Sequence, residues 1–141
     1  MLESAQHGWE FVLRRRALLT RSGKFLVVGG VGTLVNTVAL VILYQQLHLA
    51  LVASSALATE LAIGHNFVWN DYWTFGRRRL TLNRFARFNV VALGGQCITI
   101  LTLWMLVRFG GVHYVAANLV GVGLALIWNF TVNVHWTWGS S

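Results

Sequence analysis

The sequence predicts an all-α integral membrane protein: four transmembrane helices forming two helical hairpins that repeat in parallel, with both termini cytoplasmic. Three observations predict it. Long uncharged apolar blocks recur through 141 residues that are 56% apolar and only 11% charged. Ten of the eleven Lys and Arg residues gather at one set of predicted helix ends. A phrase in the middle of the chain, HNFVWNDYWTFG, returns at its end as WNFTVNVHWTWG, offset by 63 residues.

The apolar blocks come first. An average soluble domain carries roughly 25% charged residues, and a core of this size has too little volume to hide so much apolar surface. Residues 25–44, 88–107 and 112–138 carry no charge, and residues 49–70 carry one, Glu60. Each block meets the roughly 20 residues that cross about 30 Å of hydrocarbon as a helix. The spans fall at about 25–45, 49–70, 86–108 and 112–134, in a membrane domain over 25–138. The first reads as a retained span and not a cleaved leader: it follows a polar lead, lacks a clear small-residue cleavage site and is matched by three more.

Charge then sets the expected orientation. Arg14, Arg15, Arg16, Arg21 and Lys24 precede the first span; Arg77, Arg78, Arg79, Arg84 and Arg87 lie between the second and third. Only Arg108 sits at the other set of ends. The positive-inside rule places the basic ends in the cytoplasm, in a bacterial inner membrane by the resemblance below. The net charge of +7 then expresses topology and attraction to anionic lipids. It argues against nucleic acid as a partner, because the basic residues flank apolar spans. In the basic lead 1–24, Trp9, Val12, Leu13 and Arg16 recur at helical spacing. The lead reads either as a helix lying on the cytoplasmic leaflet or as a solvated basic tail.

The repeat supplies the architecture. Residues 24–76 align with 87–139 without a gap, and sixteen of the 53 pairs are identical. Each unit is a hairpin that begins and ends on the same side, so the two are parallel. The repeated phrase is the basic-side end of each second helix. Trp69, Tyr72, Trp73, Trp128, Trp136 and Trp138 suit an interfacial aromatic belt there. Ser54, Ala58 and Ala62 recur as Ala117, Gly121 and Ala125, a small-residue stripe that lets helices approach. Gly29, Gly30, Gly32, Gly94 and Gly95 are candidates to receive it.

Candidate site residues are the polar ones that lipid penalises. Asn66 and Asn70 share a helix face, as do Asn129 and Asn133. Amides at such depth need partners, so they serve either as glue between the hairpins or as donors to a phosphate or sugar hydroxyl. Glu60 breaks the repeat, for its counterpart is Gly123. An acid near the bilayer midplane is a functional candidate by default; the alternative is a neutral Glu bonded to Asn36, Gln96 or Asn118. No H-x-x-x-H or C-x-x-C suggests a metal, Cys97 is single, and no Ser-His-Asp set or carboxylate pair is visible. The chain therefore reads as a non-enzyme without a cofactor.

The doubled hairpin, KFLVVGGVGTLVNT, NDYWTF, RFARFNVVALGG and NFTVNVHWTW together resemble the GtrA-like family over about residues 22–138. The resemblance implies a small bacterial membrane protein of cell-surface polysaccharide synthesis. It implies translocation of a polyprenyl-phosphate-linked monosaccharide alongside a partner glycosyltransferase. The family's helix-two ending usually carries a basic residue after the Asn; here Asp71 and Val134 stand at that place. The phosphate then falls to Arg77, Arg78, Arg84 or Arg87, with Arg84 and Arg87 at phosphate depth. A polar seam of Asn36, Glu60, Asn66, Gln96, Thr99 and Asn118 shelters the sugar in this reading. Four helices enclose little cavity, so a homo-oligomer is expected. Two alternatives stand beside it: a non-transporting scaffold for a glycosyltransferase, and a proton-coupled small multidrug exporter. In the exporter family the acid sits in the first helix, not the second.

Overall fold

The computed structural model describes residues 2–139, with side chains from Leu13 onward except Arg14. The side chains of Trp9 and Val12 in the basic lead lie outside the described residues. Four helices follow in order: α1 Leu2–Val41, α2 Leu51–Trp69, α3 Leu82–Arg108 and α4 Tyr114–Val132. Three of them run on into single π-helical turns, Ile42–Gln46 after α1, Asn70–Thr74 after α2 and Asn133–Thr137 after α4. The chain divides between residues 78 and 79 into two compact units. Hairpin one packs α1 on α2, and hairpin two packs α3 on α4.

Four spans are expected from the sequence; among the described residues three stretches are long and apolar enough to cross a membrane. They are Arg15–Gln46, Leu82–Arg108 and Tyr114–Thr137. α2 is not one of them, because Ser54, Ser55, Thr59, Glu60, His65 and Asn66 dilute its apolar content. It nevertheless packs along α1 as α4 packs along α3, so the doubled hairpin is present in the backbone.

The small-residue stripe is where the helices meet. Ser54, Ala58 and Ala62 are buried in hairpin one, Ala117, Gly121 and Ala125 in hairpin two. In lipid this contact rests on van der Waals packing, since the solvent is as apolar as the side chains. Hairpin two closes tighter. A Cβ on Gly121 would lie 2.9 Å from the Thr99 carbonyl oxygen and 3.1 Å from its Cα. The Thr99 hydroxyl also reaches the Gly121 carbonyl at 3.4 Å. At the equivalent place of hairpin one stands Ala58, fully buried.

The loops close by local chemistry. The α1–α2 turn passes through His48 at φ +53°. Gly111, at φ +59°, lets the Val112 N–H return to the Leu106 carbonyl at 3.1 Å. Thr81 caps α3 by accepting from the Arg84 N–H, and His113 Nδ1 caps α4 by accepting from the Val115 N–H, both at 3.4 Å. Each cap takes a backbone donor that a helix start leaves without an internal partner.

Candidate functional site

The repeated phrase forms the same device in both hairpins. In a π turn each N–H reaches back five residues, so Phe75 N–H bonds the Asn70 carbonyl at 2.9 Å and Trp138 N–H bonds the Asn133 carbonyl at 3.0 Å. Side chains lock the turn. Thr74 donates its hydroxyl to Asn70 Oδ1 at 2.9 Å, and Thr137 donates to Asn133 Oδ1 at 2.6 Å. All four residues are buried. Gly76, at φ +64°, ends the first device and lets the Arg77 N–H close on the Asp71 carbonyl at 2.8 Å. A side chain would strain that conformation.

A cation from the hairpin's first helix completes each device. Lys24 Nζ donates to the Trp73 carbonyl at 3.2 Å and lies 5.4 Å from that indole's centroid. Arg87 Nη1 donates to the Trp136 carbonyl at 2.9 Å, its guanidinium 5.7 Å from the indole centroid. Positive charge at a helix C-terminus is favoured by the helix dipole and satisfies a carbonyl that the helix end leaves open. Lys24 is the 63-residue counterpart of Arg87, so the offset alone signals this pair; the sequence reading uses Lys24 only for topology.

Asn66 and Asn129 have a different role. A Cβ on Gly32 would meet the Asn66 amide, with Nδ2 at 2.5 Å, and one on Gly95 would meet Asn129 Nδ2 at 2.5 Å. Each asparagine is therefore wedged against a glycine of its own hairpin. The glycines accept these amides and not the small-residue stripe, while Gly29 and Gly30 face open space. Asn70 and Asn133 spend their side-chain oxygens on threonine; Asn133 Nδ2 is buried without a partner among the described residues. Arg84 donates a guanidinium N–H to the Arg79 carbonyl. Asn36 keeps its Oδ1 buried and without a donor among the described residues. Its counterpart, Thr99, bonds the Gly95 carbonyl at 3.2 Å instead.

Glu60 is exposed on α2 rather than enclosed within its hairpin. Within hairpin one, Asn36, Glu60 and Asn66 of the expected seam thus occupy three different settings. Of the residues expected in an aromatic belt, Trp69, Tyr72, Trp73, Trp128 and Trp136 are exposed. Trp138 is instead only 4% exposed and packs edge-on against Phe88 at 5.7 Å. The sequence reading gives Asp71 no role. It stands where a basic residue is expected and is fully buried within the first π turn.

The hairpins differ in their open space. Hairpin one has a cleft of about 230 Å³ lined by Val27, Val28, Val31, His65, Trp69 and Trp73. Hairpin two has one of about 600 Å³ at its other end, lined by Ile100, Leu103, Trp104, Val107, Arg108 and Tyr114.

Apolar helices, a doubled hairpin and capped basic ends define an all-α membrane protein. The chain belongs to the GtrA/DPMS transmembrane domain family, whose model matches residues 24–138. It is 37% identical over 124 residues to a dolichol-phosphate mannosyltransferase of Pyrococcus furiosus, a match covering 86% of this chain. The chain spans 35% of that relative's length.

Proposed function

We propose that this protein translocates a polyprenyl-phosphate-linked monosaccharide across the bacterial inner membrane. In this reading α2 crosses alongside the three more apolar stretches, both termini are cytoplasmic, and the loop at His48 faces the far side. The family match over residues 24–138 carries the reading. The polar groups support it: a chain this apolar retains Glu60 and the donorless Asn36 Oδ1 in helical hairpins that packing alone would not require. Arg77, Arg78, Arg84 and Arg87 supply positive charge for anionic lipids and the phosphate. The chain itself makes and breaks no bond, works with a glycosyltransferase that loads the lipid, and assembles as a homo-oligomer.

A second reading has one observation in its favour. The relative it matches over only part of its length is named a mannosyltransferase, so a domain of this kind can be an anchor for a glycosyltransferase without transporting. Purified protein in liposomes separates the two. With a polyprenyl-phosphate sugar in one leaflet, a carrier speeds appearance of the head at the other leaflet over protein-free vesicles. Equal rates with and without protein leave the anchor reading and sink translocation.

A further inference from the structure

We propose that hairpin one carries, between α1 and α2, a groove that binds the apolar chain of a lipid phosphate, with Lys24 at its mouth. The proposal deepens the translocation reading and rests on it for the class of lipid. Its structural basis is a coordinated break in the repeat.

In hairpin two the corresponding place is plugged. The Trp128 indole lies against Gly94, where a Cβ would sit 2.9 Å from Nε1, and its N–H bonds the Val91 carbonyl at 3.1 Å. The plug needs both residues: the indole for bulk and the glycine for room. In hairpin one both differ. His65 replaces the tryptophan and Val31 replaces the glycine. The smaller ring leaves the cleft of about 230 Å³ open, and the valine becomes part of its wall.

The groove has a direction. Lys24, Val27, Val28 and Val31 follow one another along one face of α1 at helical spacing. Trp73 in the π turn, then Trp69 and His65 on α2, answer them at steps of four in sequence. One end therefore carries an ammonium, held 3.2 Å from the Trp73 carbonyl, with Arg21 one turn before it and 6.0 Å from the Phe75 ring centroid. From there inward the walls are valine and indole. His65, the one polar lining residue, already has Nδ1 within 3.3 Å of Asn66 Oδ1. Cationic mouth and apolar trough match an anionic head followed by a single chain. The trough's walls offer a sugar's hydroxyls almost no partners, so it suits a length of chain and not a sugar head. Branched or unsaturated carbons against Trp69 and Trp73 bury apolar area without any unpaired polar group.

The test uses farnesyl phosphate bearing a photoreactive diazirine on its chain, with the full protein in phosphatidylcholine nanodiscs. Labelling is expected on residues 27–31 and 65–73, and not on their counterparts 90–94 and 128–136. The double variant Val31→Gly/His65→Trp installs the hairpin-two plug and is expected to cut labelling by at least about tenfold, the equivalent of about 1.4 kcal/mol. Gly94→Val/Trp128→His should open a second groove and gain label in hairpin two, which keeps the test decisive if the first variant does not fold. Lys24→Gln should weaken competition by unlabelled farnesyl phosphate and leave that by farnesol unchanged. Equal labelling of both hairpins, or parent-like labelling of the plugged variant, overturns the groove. So does competition by inorganic phosphate equal to that by farnesyl phosphate, which marks a head site without a chain. Chain-to-chain cross-links from a photoreactive residue at Val27, in place of lipid adducts, would assign the groove to a second copy and also overturn it. Labelling without flipping in liposomes leaves the groove standing and removes translocation; flipping without labelling does the reverse.

Discussion

Hairpin one and hairpin two share a frame and differ in what fills it. Both end in a π turn locked by an Asn–Thr pair and topped by a cation from the first helix. Both wedge an asparagine against a glycine at the same place. Hairpin two has Gly121 at its closest approach, a tryptophan plug at Trp128 and Gly123 in mid-helix, so it is tighter there and has no acid in mid-helix. Hairpin one has Ala58, His65 and Glu60 at those positions, with an open cleft and an acid. Duplication explains the shared frame. At the π-turn end the open cleft is in hairpin one, as is the mid-helix acid, while the cleft of about 600 Å³ in hairpin two lies at its other end; it is in hairpin one that a lipid phosphate is to be sought.

The largest effect expected from breaking this contrast is at Glu60. Replacing it with leucine makes α2 as apolar as α4 at mid-helix, and translocation in liposomes is expected to be abolished. Thermal stability should hold or rise, because an acid facing apolar surroundings is removed. Glu60→Gln, which keeps size and hydrogen bonding but cannot ionise, should lower the rate and keep the fold. Parent-like flipping by the leucine form would make Glu60 a tolerated residue and leave hairpin one without a polar mechanism.

How much of this was legible in the sequence depends on which physical signal each feature leaves. The apolar helices and the doubled hairpin are readable because charge is nearly absent inside long blocks and because the 63-residue offset aligns without a gap. α2 shows the limit: its order is predicted, but Ser54, Ser55, Thr59, Glu60, His65 and Asn66 take it below the apolarity of its neighbours. Helix rotation is not readable. A helix surrounded by lipid is apolar on every side, so periodicity does not say which face meets its partner. Asn66 was thus open to either role until the structure set it against Gly32. The π turns are invisible for a related reason. Asn70 and Thr74 are four apart and read equally well as one face of an α-helix; the i to i+5 bond at Asn70, which accompanies their side-chain hydrogen bond, leaves no separate periodic signal. The cation clamp, by contrast, was legible: Lys24 and Arg87 are repeat partners, as are Trp73 and Trp136.

A smaller effect sharpens the packing half of the contrast. Gly121→Ala would push a methyl into backbone, since the nearest atoms are the Thr99 carbonyl oxygen and Cα. Neither can rotate away, so the helices must separate, with an expected loss of about 1–3 kcal/mol in mixed-micelle unfolding. The mirror change, Ala58→Gly, adds no clash and should cost only about 0.5–1 kcal/mol through backbone freedom. Equal costs for the two would mean that the hairpins close to the same distance and that the tighter contact at Gly121 does not exist.

The smallest effect tests what the hairpins share. Lys24 and Arg87 share a bond to a tryptophan carbonyl and a cation–π contact with the same indole, at nearly the same distances. Arginine and lysine differ most where a planar fork engages a carboxylate or phosphate with two bonds; a single bond to a backbone carbonyl makes no such demand. Lys24→Arg and Arg87→Lys should therefore each change stability by less than about 0.5 kcal/mol, the usual range for surface changes that break nothing. Removing the charge is different. Lys24→Met and Arg87→Met keep much of the apolar stem but leave the Trp73 or Trp136 carbonyl uncapped at the negative end of a helix, for an expected loss of about 1 kcal/mol. Unfolding of the four variants side by side decides it. If Arg87→Lys costs as much as Arg87→Met while Lys24→Arg is silent, Arg87 needs its fork for something beyond the Trp136 carbonyl. The symmetry of the two clamps would then be one of geometry only, with the arginine serving a second, two-bonded partner in hairpin two.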